Sequence, residues 1–507
     1  MTSVVAQASP APSASSHDAG VAVRNGVKLG LSLVLTWSVA LGVRILLPRY
    51  LGPSAFGPMN FADAFAATVF VALNLGTEMY IRKEIPVHPA MASDFFGGTL
   101  LVRLGISVLL FAGIAVGLTV SHRPPELRQL VYLFGVGQVF FTLNGTLSAY
   151  LHAHGTVDGL SVMNVVSKVL WGTGILAGIA THHAVVGVAL AFILSEAVKS
   201  AVLWRLAARH LHLQLRFNWP ATWVAVRAGL PFYLNAVAFV AYGRLDVTML
   251  EFITNNAKEL GWYGAASNLA TLTLLIVPVI GWVLMPFYAR ALHRSREEME
   301  RALARSMELI LAVAIPGSLL IVLGAELWIR IMFGEAFSPA ALPLRIMSPI
   351  FVLTYVATIS AIGLILLGRG WTVTKVSLMG VVLAPLLALL FIPLGAAHLG
   401  GELHQGGPGA GAALANLVTE SCVTVVMTTL IGWKTFDRTG LVLLGRTAVV
   451  CALVVALHFS LSSLGHARLV ADALAYVALA VALRAVRWRE MFEFARTAWK
   501  RPRDLQT

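Results

Sequence analysis

Residues 96–120 read Phe96-Gly-Gly-Thr-Leu-Leu-Val-Arg103-Leu-Gly-Ile-Ser-Val-Leu-Leu-Phe-Ala-Gly-Ile-Ala-Val-Gly-Leu-Thr-Val120. The reading of this run decides the fold. A helix crossing a bilayer needs about 20 mostly apolar residues. A membrane β-strand would instead alternate apolar and polar residues over about ten, and Val108 to Val120 does not alternate. The run is a spanning helix with one charge in it.

Moving outward, similar runs predict fourteen spans: 27–47, 60–80, 96–120, 129–151, 159–180, 184–206, 226–250, 264–288, 307–329, 341–367, 373–394, 409–432, 447–465 and 469–486. Composition agrees. Of 507 residues, 58% are hydrophobic and 12% charged, whereas a soluble chain carries about 25% charged residues. So few charges could not cover a water-facing surface, which excludes a soluble multidomain enzyme. Cys422 and Cys451 are the only cysteines; both lie in apolar runs and read as small packing residues, not a disulfide framework. The expected fold class is an all-α polytopic membrane protein.

Charge sets the orientation. With the N-terminus inside, 26 of the 37 Lys and Arg fall in inner segments, 6 in outer segments and 5 within spans. Cytoplasmic loops collect Lys and Arg, so both termini are expected in the cytoplasm. The net charge of +13 is then a mark of topology, and no nucleic-acid partner is expected. Residues 1–22 lack the charged start and apolar core of a signal peptide and read as a disordered cytoplasmic tail. Arg294 with Glu298, and Glu297 with Arg301, suit a surface helix over 289–306. Residues 395–410 read as a Gly-rich outer loop. Residues 487–507 read as an amphipathic interfacial helix, with Trp488, Met491, Phe492 and Trp499 on one face. No loop is long enough for a catalytic domain and no catalytic triad or carboxylate pair stands out, so the chain is not expected to be an enzyme. The spacings of His152 with His154 and His182 with His183 do not suit a metal on one helix face. No cofactor is expected beyond coupling to a proton or sodium gradient.

The chain is written twice. Gly187-Val-Ala-Leu-Ala-Phe-Ile-Leu-Ser-Glu196 matches Gly411-Ala-Ala-Leu-Ala-Asn-Leu-Val-Thr-Glu420, and Ser161-Val-Met-Asn-Val-Val166 matches Ser377-Leu-Met-Gly-Val-Val382. Arg24-Asn-Gly26 and Arg44 match Arg227-Ala-Gly229 and Arg244 more loosely. Spans 1–6 thus recur as spans 7–12. Six is even, so the halves are parallel, with a substrate site expected between them. The expected domains are a lobe at 23–206, a cytoplasmic linker at 207–225, a second lobe at 226–434, two additional helices at 441–486 and the C-terminal tail. The two six-helix lobes would flank a central cavity.

Five cations fall within spans: Arg44, Arg103, Lys168, Arg244 and Arg345. Each costs roughly 2.5–3.5 kcal/mol at a helix centre, so they are expected to face protein or water. Arg103 and Lys168 lie deepest, roughly 12–15 Å in at 1.5 Å per residue. Arg44, Arg244 and Arg345 lie near outer ends, where they could snorkel. The functional reading is a cationic site for an anionic headgroup; the structural one is internal charge pairing. Glu196, Glu420 and Asp246 are candidates for ion coupling, with the two glutamates alternatively fixing the repeated fold. Asp63 reads as a helix-start residue, and Glu78 with Arg82 as an interfacial ion pair.

Three stretches resemble a known family: Ile45-Leu-Leu-Pro-Arg-Tyr-Leu-Gly-Pro-Ser-Ala-Phe-Gly57 with Asn60-Phe-Ala-Asp-Ala-Phe65, Leu75-Gly-Thr-Glu-Met-Tyr-Ile-Arg-Lys-Glu-Ile85, and Arg244-Leu-Asp246 followed by Gly261-Trp-Tyr-Gly-Ala265. Phe333-Gly-Glu-Ala-Phe337 and Gly409 through Glu420 continue the likeness. The chain resembles bacterial polysaccharide flippases of the Wzx type, in the multidrug/oligosaccharidyl-lipid/polysaccharide exporter superfamily. The resemblance implies movement of a polyprenyl-diphosphate-linked oligosaccharide across the bacterial inner membrane, for O-antigen, capsule or exopolysaccharide. Membrane lipids, a polysaccharide polymerase and chain-length machinery are the partners it implies. A lipid II flippase shares the plan. A multidrug cation antiporter would need an acidic or aromatic cavity, which five basic residues oppose. A sugar polymerase or ligase would need a large outer loop.

Overall fold

The computed structural model describes residues 16–86, 91–154, 157–182, 184–210, 213–400, 405–432 and 438–485. Every regular element among them is a helix. In chain order these are α1 (Ser16–Phe70), α2 (Thr77–Glu84), α3 (Ala92–Val120), α4 (Pro125–Ala153), α5 (Val157–Ala180), α6 (Ala184–His210), α7 (Trp219–Thr254) and α8 (Ala257–Leu272). They continue as α9 (Val277–Arg294), α10 (Arg296–Leu323), α11 (Ala325–Phe333), α12 (Ala341–Leu366), α13 (Gly370–His398), α14 (Gly407–Ile431), α15 (Arg438–Ser460) and α16 (Arg468–Ala482). Among the described residues, eleven helical stretches are long and apolar enough to cross a membrane, against the fourteen spans expected. The chain is an all-α polytopic membrane protein.

Two differences from the expected spans are informative. The first span and the first half of the second belong to one helical stretch, α1, broken at Gly52 (φ 71°, ψ 168°) between Pro48 and Pro53, and the rest of the second span crosses a break into α2. Only glycine takes that backbone conformation without strain, and proline ends helices by removing a donor. The span at 264–288 is divided into α8, a 3₁₀ stretch (Thr273–Ile276) and α9. Helix α1 starts at Ser16, so 16–22 are helical where a tail was expected. Residues 1–15, the amphipathic segment 487–507 and residues 401–404 of the Gly-rich loop lie outside the described residues.

In α3, Val108, Leu109, Val116 and Val120 are among the most exposed large apolar side chains, whereas Arg103 is buried. A helix apolar all round that exposes Val and Leu has lipid as its solvent.

The chain forms two compact units. One comprises the described parts of 1–43, 73–109 and 136–230; the other comprises those of 44–72, 110–135 and 231–507. In the second unit the family-like stretches converge. A Cβ on Gly57 would overlap the Ala257 carbonyl, and one on Gly261 would overlap the Pro53 carbonyl. The α1 and α8 backbones therefore touch, which only small residues permit. Phe56 meets Phe337 edge to face at 6.4 Å, and Trp262 Nε1 donates to the Ala336 carbonyl at 2.9 Å. Each motif supplies one side of this packing.

Glu259 completes it. Its Oε1 accepts the Gly406 N–H at 2.8 Å, at the start of α14, where backbone donors are otherwise unpaired. Burial pushes this carboxyl above the usual carboxylate range, against the pull of the Gly406 and Gly409 N–H groups. A raised folded-state value means that the native state binds the proton more tightly. The contribution of Glu259 to stability therefore rises as pH falls through the carboxylate range and is smaller at neutral pH. Glu259→Gln keeps the acceptor without the charge and is expected to leave thermal stability unchanged or raised. Glu259→Ala is expected to lower it by about 1–3 kcal/mol. A melting curve of the purified protein distinguishes the two.

Helices α15 and α16 are joined by a buried pair, His458 Nδ1 and Asp472 Oδ2, 2.6 Å apart.

Candidate functional site

In the first unit Arg103 is 5% exposed and is held on several sides. Its Nε donates to the Leu73 carbonyl at 2.7 Å. One Nη2 donates to the Asn74 carbonyl and the Thr77 hydroxyl, each at 3.0 Å, and Nη1 donates to the Thr146 hydroxyl. Leu73 and Asn74 lie at the break before α2, where carbonyls lack helical partners. The guanidinium therefore closes a helix break. Glu78 lies with its carboxylate against Gly145 and acts electrostatically on Arg103; no Glu78–Arg82 ion pair occurs among the described residues.

Lys168 sits over the Trp171 ring, with Nζ 5.0 Å from the centroid. It is within electrostatic reach of Lys199, which also feels Glu196. The charge count takes Lys199 with the inner segments although it lies inside the expected span 184–206, and α6 carries it within a helix that continues to His210. Two cations thus stand near one carboxylate. Glu196 itself is buried. Its Oε2 accepts from Asn144 Nδ2 at 2.8 Å, and Ser200 Oγ donates to Asn144 Oδ1 at 2.8 Å.

In the second unit Arg244 Nη1 pairs with Asp63 Oδ2 at 3.1 Å, with side chains 40% and 35% exposed. Arg44 is within electrostatic reach of both. Asp63 is thus a carboxylate shared by two arginines inside α1, not a helix-start residue. Two positive charges thus act on one partly exposed carboxylate.

Asp246 faces a different set of groups. Its Oδ2 accepts from Asn416 Nδ2 at 2.8 Å and from the Tyr263 hydroxyl, while Oδ1 accepts its neighbour's N–H, that of Val247, at 2.7 Å. Asn416 Nδ2 also reaches the Tyr263 oxygen at 3.1 Å. Oxygen atoms from α7 and α8 and the Asn416 amide nitrogen of α14 meet here, and the carboxylate accepts from both neighbours. Glu420 Oε1 accepts from Thr354 Oγ1 at 2.7 Å. The relation of Glu196 to α4 recurs here, since each glutamate is held by a neutral side chain two spans earlier.

Arg345 pairs with Glu326 at 2.8 Å, both well exposed. Arg123, an outer-loop residue by sequence, is buried and meets Glu251 at 2.5 Å. It also donates to Asn255 at 2.5 Å and lies 5.1 Å over the Phe252 ring.

In fold the chain is similar to the lipid II flippase MurJ in an inward closed conformation, with TM-score 0.68 over 93% of this chain and 100% of that one, at 11% identity. It is also similar to an inward-facing multidrug resistance MATE family transporter of the MOP superfamily, with TM-score 0.59 over 82% of this chain and 99% of that one, at 16% identity. At such identities the likeness establishes the fold. No curated protein sequence matches the chain. The model of a family described as polysaccharide biosynthesis protein matches residues 46–342, more than half the chain and all of the convergent motifs from Phe56 to Phe337, so the chain belongs to that family.

Proposed function

We propose that this protein is a flippase that moves a polyprenyl-diphosphate-linked oligosaccharide from the cytoplasmic to the periplasmic leaflet of the bacterial inner membrane, for surface polysaccharide. The observation that carries the reading is the surplus of partly open cations in the spans: Arg44 and Arg244 against Asp63, and Lys168 and Lys199 near Glu196. A diphosphate crossing the hydrocarbon core bare would meet a prohibitive desolvation cost, and these cations offset it. Membership of a polysaccharide biosynthesis family supports the glycan, and similarity to a lipid II flippase supports a lipid-linked substrate. Alternating access of the two six-span repeats would expose the cations to each side in turn.

Deleting the gene should abolish surface glycan and trap the lipid-linked oligosaccharide on the cytoplasmic side, and the wild-type gene should restore export. Lysis with accumulated lipid II would favour the lipid II flippase. A change confined to drug resistance would favour the antiporter.

An Arg44→Gln, Arg244→Gln double variant should lose about tenfold or more of export, equivalent to about 1.4 kcal/mol or more, at normal membrane level. Arg345→Gln, whose partner is an exposed Glu326, should stay close to wild type. Orientation is tested by reporter fusions. Those after Arg296 should read as cytoplasmic and those after Gly407 as periplasmic; the opposite pattern would invert the route.

A further inference from the structure

Helix α9 ends at Arg294 and α10 begins at Arg296, so Ser295 alone turns the chain. Ser295 Oγ accepts the Glu298 N–H at 3.0 Å, the N-cap bond that fixes where the second helix starts. Arg290 and Arg294 are one turn apart on α9, and Arg301 and Arg305 are one turn apart on α10; i,i+4 spacing puts each pair on one face. The two faces meet. All four arginines, with Phe287 and Ser306, line a cavity of about 280 Å³.

Glu298 is the single acidic lining residue, 3.6 Å from Arg294. Arg296 and Glu300 satisfy each other at 2.9 Å without lining the cavity. Arg290 and Arg305 have no carboxylate within salt-bridge distance among the described residues. The cavity therefore holds a surplus of three positive charges. The dipole at the end of α9 accounts for Arg294, which lies in its last turn, but not for Arg290 one turn earlier. It does nothing for Arg301 and Arg305, which sit in the second and third turns of α10, beyond the reach of its N-terminus. Solubility does not require four guanidinium groups to line one concavity together with a phenyl ring.

Planar guanidinium forks match phosphate oxygens two at a time. The volume lies just below the roughly 300–1,000 Å³ of small-molecule sites, enough for a phosphate or diphosphate head but not for an oligosaccharide. Phe287, Ala291 and Ala302 give the same cavity an apolar side, and α10 continues from it as a spanning helix. We propose that the α9–α10 hairpin docks the phosphate head of a lipid in the cytoplasmic leaflet. The assignment rests on the orientation proposed above and not on transport.

The test uses the full chain in phosphatidylcholine nanodiscs doped, in separate arms, with polyprenyl diphosphate or with phosphatidylglycerol. Lipid retained through purification is measured by mass spectrometry. The triple variant Arg290→Gln, Arg301→Gln, Arg305→Gln should retain about tenfold less phosphate lipid, the triple Lys variant should fall between, and salt should weaken wild-type retention. A loss confined to polyprenyl diphosphate would identify the docked lipid as incoming substrate, and an equal loss in both arms as bulk anionic phospholipid; either supports the site. Unchanged retention by a triple Gln variant that melts like wild type would overturn it. So would salt-insensitive retention by the wild type, which is readable even if the Gln variant does not fold. Retention is scored without any flipping measurement, so a protein that docks lipid but does not export glycan separates this proposal from the flippase reading.

Discussion

Arg103→Ala is expected to be the most damaging single substitution in the chain. It removes a donor from two backbone carbonyls and two hydroxyls at once, of which the Asn74 carbonyl and the Thr146 hydroxyl keep a second partner. Each buried polar group left unpaired costs about 1–3 kcal/mol, against a total stability of about 5–15 kcal/mol for a typical domain. Detergent-purified protein should melt at a clearly lower temperature, and export should fall with membrane level. Arg103→Lys should rescue little, because an ammonium on one stem cannot span acceptors arranged around a planar fork. A variant with wild-type melting and no export would return Arg103 to the substrate path. Normal export with normal melting would remove it from both roles.

The second large effect is expected at Asp246. Asn keeps the shape of Asp but replaces one acceptor oxygen with a donor. In one orientation that donor would face the Asn416 Nδ2 and Tyr263 hydroxyl donors that now converge on Oδ2, and in the other the Val247 N–H that Oδ1 accepts. If Asp246 binds the ion that drives the cycle, Asp246→Asn should abolish gradient-stimulated flipping in proteoliposomes while leaving the small gradient-independent rate intact. Asn416→Ala should weaken ion dependence, raising the concentration needed for half-maximal stimulation. Equal stimulation of wild type and Asp246→Asn by proton and sodium gradients would remove Asp246 from coupling.

The spans were legible because the length of an apolar run is a local property. Residues 96–120 need no partner to be read as membrane-embedded, and the depth of Arg103 followed from counting along them. Its partners did not, since Thr146 lies on another helix and the carbonyls of Leu73 and Asn74 are freed only by a helix break. Asp63 was misplaced for a related reason. Its partner Arg244 is 181 residues away, and no rule of spacing joins them. Lys199 falls with the inner charges in a count by segment, because a count along the chain does not show that it shares Glu196 with Lys168. Arg123 was counted with the loops because a cation beside a turn usually faces water, and only the folded chain brings Glu251, Phe252 and Asn255 around it.

The contact of Gly57 with Ala257 has a consequence for how the protein is made. A ribosome adding about 5–20 residues per second takes roughly 10–40 s to travel between these positions. Throughout that interval the notch at Gly57 waits in the bilayer for a helix that has not been synthesised. Residues 44–72 and 110–135 share this wait, since the rest of their unit begins at Pro231. A nascent chain halted at residue 230 therefore holds inserted helices whose packing partners are still untranslated, and the earliest helices must be shielded from wrong partners longest.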